Sequence, residues 1–475
     1  MARLITEEEK VLAQSMLARA RAAMSAVESC SQATVDRWCQ SVGWATYNEE
    51  TATRLANMSV DESGMGGREP LRRAKIAGIL RDALRQKSMG VIEEDLEKGI
   101  VKYAKPAGVI ASLIPVTSPY VTPAGTAIYA VKCKDAVIFS PHPGSKKTTA
   151  ETVRIMREAL ESVGSPPDLL QCVEKPSIPL AMELMAICDL TIATGGQAMV
   201  RAAYSSGKPA YGVGAGNATM VIDETADIEE AARNTRISKT NDHGSGCSAD
   251  GNLLIDSTIY DRLLDQLQKE GGYLVSPAEK DLLEAAYWDA EGRRTANTIA
   301  VSAARVAELA GFPIPAGKTF LIVPEEHIGK EYRFSGEKLG TVLAVFRYGG
   351  FDAALEMVRQ IYEVGGKGHS CGIYSFDDEH IHRLALVAPV SRIMVRQPQS
   401  RANAGYFTNG MPMTSSMGCG IWGGNITNEN IALKHYMNVT WVSRPIPEDR
   451  PSDQELFGEF HNTRNSVDAR EEIHQ

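Results

Sequence analysis

The strongest constraint on the fold is a repeated alternation of short apolar runs with segments that suit helices. The runs occupy residues 107–114, 136–139, 168–173, 190–193 and 210–213. Most are followed by glycine or proline and then by a helix-compatible stretch, and such alternation is typical of a doubly wound parallel sheet. The pattern therefore predicts an α/β fold in which helices cover a parallel sheet.

A second set of strand-like runs predicts a second sheet. These runs occupy residues 253–255, 320–323, 341–346 and 372–374, and helical stretches such as residues 352–362 separate them. The first hundred residues favour helices, and Thr6 with Glu9 forms a capping-box pattern at the start of a helix that runs to about Ser29. A chain of 475 residues exceeds what one core usually organises, so two large lobes are expected. The polar segment after Pro445 is expected to be a surface arm or partly disordered.

Charge and cysteine content exclude several classes of protein. The net charge of -9 and a pI of about 5.6 give no basic excess, so neither nucleic acid nor a membrane is expected as a partner. The N-terminal segment lacks the apolar core of a signal peptide, which favours a cytoplasmic location. Because the eight cysteines include no Cys-x-x-Cys pair, we expect neither a disulfide framework nor a metal site.

Cys247 is the cysteine whose surroundings differ from those of a core residue. It lies in the run SKTNDHGSGCSADGN, residues 238–252, among small and flexible residues. Gly244 and Gly246 allow a sharp turn that presents consecutive amides, which can lower the pKa of a thiol and later hold an oxyanion. From this pattern alone, a nucleophile and a tolerated loop cysteine are equally supported.

Several other glycine-rich turns are ambiguous when taken singly. Gly195 and Gly196 in ATGGQAMV follow a strand and could admit a phosphate, although a packing turn is favoured. Lys146 and Lys147 in SPHPGSKK could bind an adenosine 2'-phosphate, or they could form an ordinary solvated helix start, which is favoured without further context. The segments GVGAGN (212–217) and GCGIWGGN (418–425) indicate backbone close to backbone or to a ligand. His369 in GGKGHS is by default a surface histidine.

Together these segments resemble the aldehyde dehydrogenase superfamily, and specifically its coenzyme A-acylating branch, from about residue 10 to residue 445. Seven signatures occur in the order and at the spacing of that family. They are SPHP, ATGG with AAYSSGKPA, GVGAGN, the segment from SKT to Cys247, GEKLG, GGKGH and GCGIWGGN. The resemblance implies a cofactor lobe over residues 1–237, a catalytic lobe over 238–424, and a segment 425–475 that returns to the first lobe and forms an oligomerisation arm. It also implies a homodimer or homotetramer.

The resemblance assigns roles to individual residues. It makes Cys247 the nucleophile, places His369 near the acylating site, and gives Glu337 of GEKLG a hydrogen bond to the nicotinamide ribose. Ser118 stands where the family usually has an oxyanion-hole asparagine, so either its hydroxyl or the backbone stabilises the oxyanion. The residues expected to bind the cofactor are Thr117, Ser140, His142, Lys146, Lys147, Gly195, Gly196, Gly214, Glu337 and Leu339.

The segment 212–217 favours acyl transfer over hydrolysis. Hydrolytic relatives carry a glutamate there that activates water, whereas GVGAGN has no carboxylate. An aldehyde would therefore be oxidised on Cys247 and its acyl group passed to coenzyme A, with NADP as the expected cofactor and NAD as the alternative. A non-acylating dehydrogenase and a catalytically idle structural relative are the competing interpretations.

The substrate is the least constrained part of the interpretation. Arg401, in the loop 397–407 that matches the aldehyde entrance, could bind an anionic group at the far end of a short aldehyde, or it could point into solvent. The resemblance favours sulfoacetaldehyde as the substrate, with succinate semialdehyde as the alternative. If Arg401 does not bind the anion, Tyr120 and His243 are the next candidates.

Overall fold

The computed structural model describes residues 3–69 and 72–462. The strands are β1 Gly90–Asp95, β2 Ile100–Pro106, β3 Val109–Ile114, β4 Ala136–Pro141, β5 Leu170–Cys172, β6 Leu190–Thr194, β7 Ala210–Val213, β8 Thr219–Ile222, β9 Asn252–Asp256, β10 Gly272–Leu274, β11 Phe320–Glu325, β12 Val342–Tyr348, β13 Cys371–Tyr374, β14 Ile393–Val395 and β15 Met437–Ser443. The α-helices are α1 Glu7–Ala26, α2 Gln32–Tyr47, α3 Glu49–Ser63, α4 Arg73–Leu84, α5 Val121–Lys132, α6 Lys146–Ser162, α7 Ile178–Ile187, α8 Gln197–Tyr204, α9 Ile228–Thr240, α10 Tyr260–Lys269, α11 Pro277–Tyr287, α12 Ala303–Ala310, α13 Phe351–Val364, α14 Asp378–Val387, α15 Gln399–Ala402 and α16 Asp453–Phe457.

Two parallel sheets form the framework, as the alternation of strands and helices predicts. The first has the order β5-β4-β3-β6-β7 and the second the order β10-β11-β12-β9-β8-β13-β14. Every residue of β3 and β4 is buried, as expected for strands covered on both faces. The α/β fold class is confirmed.

The second sheet carries an apolar core on each face. Val342, Ala344 and Phe346 belong to one buried cluster, whereas Leu343 and Val345, which alternate with them along β12, belong to another. Side chains of a strand point alternately to opposite faces, so this division is the consequence of a sheet packed on both sides. Residues 247, 337 and 369 lie just before β9, β12 and β13, at the amino edge of this sheet.

The predicted lobe boundary at residues 237 and 238 differs from the observed crossing between the sheets. Strand β8 already pairs in parallel with β9 and β13, and α9 follows it. The second sheet thus begins before residue 238, because a four-residue strand directly after GVGAGN gives little signal of its own. The return to the first lobe also comes earlier than residue 425, since the Tyr129 hydroxyl of α5 donates to the carbonyl of Met413 at 2.7 Å.

A small sheet of order β1-β2-β15 was not predicted, because the first hundred residues were expected to be mostly helical. Strands β1 and β2 pair in antiparallel register. By compactness, residues 89–104 and the described residues from 439 onward form one unit, and the described residues up to 88 together with residues 105–438 form the other. At the N-terminus the Thr6 capping box is confirmed, with its helix ending at Ala26. The end of the polar tail, residues 463–475, lies outside the described residues. Within the described ranges, no helix is long and apolar enough to cross a membrane.

Candidate active site

A cavity of about 580 Å³ contains the predicted nucleophile. Its wall includes the turns after β3, β6 and β7, the segment around Cys247, and the loop that carries Arg401. The turns from the first sheet lie beyond the carboxyl ends of their strands, where doubly wound proteins bind ligands, whereas Cys247 and Glu337 precede β9 and β12 at the amino edge of the second sheet. Glu337 is the single acidic side chain in the part of its lining that the structure describes.

The chain turns sharply just before Cys247. Asp242 and His243 have φ angles of 50° and 53°, and Gly244 follows with 67°. A Cβ at Gly244 would lie 2.4 Å from the carbonyl oxygen of Gly340, so no larger residue fits there. Left-handed backbone at two consecutive non-glycine residues costs on the order of 1–3 kcal/mol each, and it persists only where the surroundings hold it.

Arg72, which the sequence did not single out, is one of the groups that hold this turn. Its guanidinium forms an ion pair with Asp242 and donates to the hydroxyls of Ser118 and Ser245 and, at 2.7 Å, to the carbonyl of Thr117. The Ser118 oxygen therefore accepts from Arg72 and keeps its own proton free to donate. No sequence signal could have found Arg72, because its contacts join segments far apart along the chain.

The backbone beside Cys247 can receive an oxyanion. Among the residues described, no carbonyl or side chain accepts from the amides of Gly246, Cys247 and Ser248. Consecutive free amides that face a cavity stabilise negative charge on a bound oxygen. Both expected sources of oxyanion stabilisation, the Ser118 hydroxyl and the backbone, are therefore present at the cavity wall.

His369 lies against the thiol of Cys247. Its Nε2 is 3.0 Å from the Cys247 Sγ, and its Nδ1 is 2.9 Å from the hydroxyl of Ser370. The imidazole is buried, which lowers the pKa of His369 to about 3, so it is neutral at pH 7. A histidine in a glycine-rich loop was expected at the surface by default, and this one is fully buried.

The thiol itself differs from the expectation that nearby amides lower its pKa. Burial raises the pKa of Cys247 to about 12, and the charge of Glu337 adds to the effect, while Lys75 and Arg392 oppose it. Desolvation disfavours the thiolate more than the neighbouring cations favour it. Without ligands, Cys247 is therefore a neutral thiol hydrogen-bonded to a neutral imidazole.

Close backbone packing explains the glycine-rich segments. A Cβ at Gly216 would lie 1.9 Å from the carbonyl oxygen of Cys247, and one at Gly368 would lie 1.8 Å from that of Cys419. The segments 212–217, 365–370 and 418–425 thus pack directly around the nucleophile and its histidine. This arrangement leaves no room for a glutamate side chain at Gly216.

Glu337 also contacts the backbone of the segment 212–217. Its Oε1 accepts from the amide of Gly216 at 3.0 Å, and burial raises the pKa of Glu337 to about 7. The neighbouring Lys338 is buried and donates to Asn252 Oδ1 and the carbonyl of Gly336, both at 2.9 Å. Leu339 also lines the cavity and has a φ of 43°.

Most of the residues expected to bind a cofactor lie along the cavity. Thr117, His142, Gly195, Gly196 and Gly214 all line it. A Cβ at Gly196 would meet nothing within 4 Å, so the turn before α8 leaves open space. A dinucleotide fits such a turn at a helix N-terminus.

Three residues of the expected cofactor set lie outside the lining. Ser140 is buried in β4, whereas Lys146 and Lys147 are exposed at the start of α6. Glu62 caps that helix: its carboxylate accepts from the amides of Lys147 and Thr148, both at 2.8 Å. A phosphate could therefore meet the lysine ammonium groups but not these amides.

The three expected substrate ligands are placed differently from one another. Arg401 lines the cavity, and its guanidinium has no hydrogen-bond or ion-pair partner in the ranges described. Tyr120, which is 5% exposed, and His243 are not among the described lining residues. Arg401 stays a prediction with support from its position, whereas Tyr120 and His243 stay predictions without such support.

Comparison with known proteins gives consistent similarities over nearly the whole chain. The model of the aldehyde dehydrogenase family matches residues 4–279. A sulfoacetaldehyde dehydrogenase from Acholeplasma sp is 44% identical over 93% of both chains, and an acetylating succinate-semialdehyde dehydrogenase from Clostridium kluyveri is 34% identical over 94% of this chain and 99% of its own.

Solved structures agree with these relatives. An acetylating aldehyde dehydrogenase from Geobacillus thermoglucosidasius superposes with a TM-score of 0.90 at 34% identity, covering 94% of this chain and 99% of the other. A propionaldehyde dehydrogenase from Rhodopseudomonas palustris, solved with bound CoA and an acylated cysteine, has a TM-score of 0.81 at 25% identity, covering 91% and 97%.

Proposed function

Since the chain belongs to the aldehyde dehydrogenase family, we propose that it is an acylating enzyme that oxidises an aldehyde on Cys247 and transfers the acyl group to coenzyme A. The observation that supports this most directly is the distance of 3.0 Å between His369 Nε2 and Cys247 Sγ inside the cavity. A thiol, an adjacent base and free amides are the groups that thioester chemistry requires.

The chain's own residues can perform the first half-reaction. Cys247 adds to the aldehyde carbonyl through sulfur, and its proton passes to His369 Nε2, where the negative charge formed on the carbonyl oxygen stabilises the imidazolium. This oxyanion accepts hydrogen bonds from the free amides around Cys247 and from the Ser118 hydroxyl. A nicotinamide cofactor held by Glu337 and the turn at Gly195 and Gly196 would supply the hydride acceptor, and the acyl group would then remain as a thioester on Cys247.

The same proposal assigns roles to the residues expected to bind the cofactor. Glu337 would orient the nicotinamide ribose, and the turn at Gly195 and Gly196 would hold the phosphates. We propose NADP as the preferred cofactor because Lys146 and Lys147 are exposed and form no ion pair among the described residues. The Glu62 cap restricts a 2'-phosphate to the ammonium groups.

Coenzyme A completes the reaction. Its thiolate attacks the Cys247 thioester, the C–S bond to the protein breaks, and acyl-coenzyme A leaves. The described cavity lining has no carboxylate from the segment 212–217, and its one acidic side chain is Glu337. Water therefore lacks the base that hydrolytic relatives carry in that segment. The acylated cysteine and the bound CoA of the propionaldehyde dehydrogenase structure support this order of events.

We propose sulfoacetaldehyde as the aldehyde, with succinate semialdehyde as the alternative. Relatives with both names cover nearly the whole chain, and the sulfoacetaldehyde enzyme has the higher identity. Arg401 and the other cations of the cavity suit an aldehyde with an anionic far end.

The direct test is product identification with purified protein, NADP, coenzyme A and a panel of anionic and uncharged aldehydes. We expect sulfoacetyl-coenzyme A to form with the highest kcat/KM of the panel, and Cys247→Ala to abolish it while NADP still binds. Acyl-coenzyme A formation that survives in Cys247→Ala would refute the role of Cys247. Higher kcat/KM for succinate semialdehyde would assign the alternative substrate.

A further inference from the structure

Two cations from the first turn of α4 enter the cavity beside Cys247. Arg72 is the N-cap residue of this helix and Lys75 lies three positions later, so both project from one face. No sequence pattern pointed to either residue, and the proposed half-reactions do not involve Lys75.

Arg72 is already fully engaged. Its charge is compensated by Asp242, and its remaining donors bond Thr117, Ser118 and Ser245. It therefore positions the turn at Asp242 and the Ser118 hydroxyl, and it has little capacity left for a ligand.

Lys75 is in the opposite situation. Its ammonium group has no hydrogen-bond acceptor and no ion-pair partner among the described residues, although it lies in a partly buried position one turn from Arg72. Burial and, to a smaller extent, the charge of Arg72 lower the pKa of Lys75 to about 8, with Cys247 opposing the shift. A desolvated ammonium beside a second cation is unfavourable unless an anion joins it.

Lys75 shares the cavity with the nucleophile. Both residues line it, and the positive charge of Lys75 opposes the rise in the pKa of Cys247. In sulfoacetaldehyde a single methylene joins the sulfonate to the carbonyl carbon. Once that carbon is bonded to Cys247, the sulfonate stays within a few bonds of the sulfur, so an unpartnered cation on the same cavity wall is placed to receive it.

We propose that Lys75 binds the anionic group of the aldehyde while the carbonyl is held at Cys247, and that it determines the preference for short anionic aldehydes. This inference rests on the proposed function and names the residue that selects its substrate. The ammonium of a lysine is a compact point charge with three rotatable donors, so it can bind the oxygens of a sulfonate without a fixed geometry. Arg401 would then lie farther out along the entrance.

The test is the ratio of kcat/KM for the preferred anionic aldehyde to kcat/KM for propionaldehyde, measured with saturating coenzyme A and NADP. In Lys75→Met we expect this ratio to fall by about tenfold to a hundredfold, the range for a charge-assisted hydrogen bond. Any loss of kcat/KM common to both substrates cancels in the ratio. Lys75→Arg, which keeps the positive charge, should recover part of the wild-type ratio.

Two control variants make the comparison specific. Lys87→Met removes the same charge just beyond the other end of α4, at an exposed residue, and should leave the ratio unchanged. Arg401→Met should lower the ratio less than Lys75→Met does. As a measurement independent of turnover, the inhibition constant of ethanesulfonate, an unreactive sulfonate, should rise at least about tenfold in Lys75→Met.

The outcomes separate this inference from the proposed function. An unchanged ratio would overturn anion binding by Lys75, whether both aldehydes keep their kcat/KM or lose it equally. Wild-type protein that forms no acyl-coenzyme A from any aldehyde would instead refute the proposed function itself.

Discussion

At the scale of single residues, the protonation state of Cys247 is set by what packs around it. Desolvation by segments far along the chain, including His369 from 122 residues away, keeps its thiol neutral. The small residues around Cys247 predict a sharp turn, and the structure has one whose amides donate to no described residue. The pKa of this thiol and the contacts of Arg72 and Lys75 could not be predicted, because they depend on segments that only the fold brings together.

The raised pKa of Cys247 predicts slow, steeply pH-dependent alkylation of the free enzyme. Because its thiol is neutral well above pH 8, the thiolate fraction and the iodoacetamide rate should rise about tenfold per pH unit from pH 7 to pH 9. Mass spectrometry of the peptide that contains Cys247 measures this rate. A short unstructured peptide with one cysteine is the control, whose rate levels off near the ordinary cysteine pKa of about 8.5, and a plateau for Cys247 below pH 9 would contradict the assignment.

A second residue-scale prediction concerns cofactor choice. If Lys146 and Lys147 contact a 2'-phosphate, replacing both with glutamine should reduce the NADP preference over NAD by at least about tenfold, since one such contact contributes roughly 1.5–3 kcal/mol. The kcat/KM for NAD in the same variant is the internal control. If the wild-type protein prefers NAD, the contact with a 2'-phosphate is refuted and the two lysines are an ordinary solvated helix start.

At the scale of elements, the apolar runs predicted most strands of the two parallel sheets. The runs at β3, β4, β5, β6 and β7 are observed, as are the runs at β9, β11, β12 and β13. Strands β8, β10 and β14 were not predicted: β10 and β14 have three residues each, too few for a periodic signal, whereas the three residues of β5 lie within the longer run 168–173. The glycine-rich segments indicated close approach correctly, but only the fold shows that they pack around Cys247 and Cys419.

This packing predicts a specific effect of adding one methyl group. Gly216→Ala would place a Cβ 1.9 Å from the carbonyl oxygen of Cys247, so the backbone that carries the nucleophile must move. We expect a fall in Tm that corresponds to about 1–3 kcal/mol and a loss of kcat/KM of at least about tenfold. Gly410→Ala is the matched control, because a Cβ there meets nothing within 4 Å. Normal kinetics in Gly216→Ala would show that the contact does not fix Cys247.

At the scale of the whole molecule, the expected oligomerisation arm includes a strand with an exposed apolar surface. In β15, Val439, Trp441 and Val442 are 40%, 61% and 41% exposed. Apolar side chains in a row on an exposed strand mark an association surface. We predict a homodimer or homotetramer by light scattering, and a smaller species in the double variant Val439→Glu and Trp441→Glu. A monomeric wild-type protein would contradict this.

The central claim concerns the fate of the acyl group, and omission of coenzyme A tests it most directly. The cavity has a nucleophile and a base, but no carboxylate from the segment 212–217 among its described lining residues to activate water. With aldehyde and NADP alone, we expect a burst of about one NADPH per active site followed by a stall, with the acyl group recovered on Cys247 by mass spectrometry. Addition of coenzyme A should then restore turnover. Steady formation of free acid, at a rate comparable to that of the complete reaction, would contradict acyl transfer and assign the protein to the hydrolytic branch of its family.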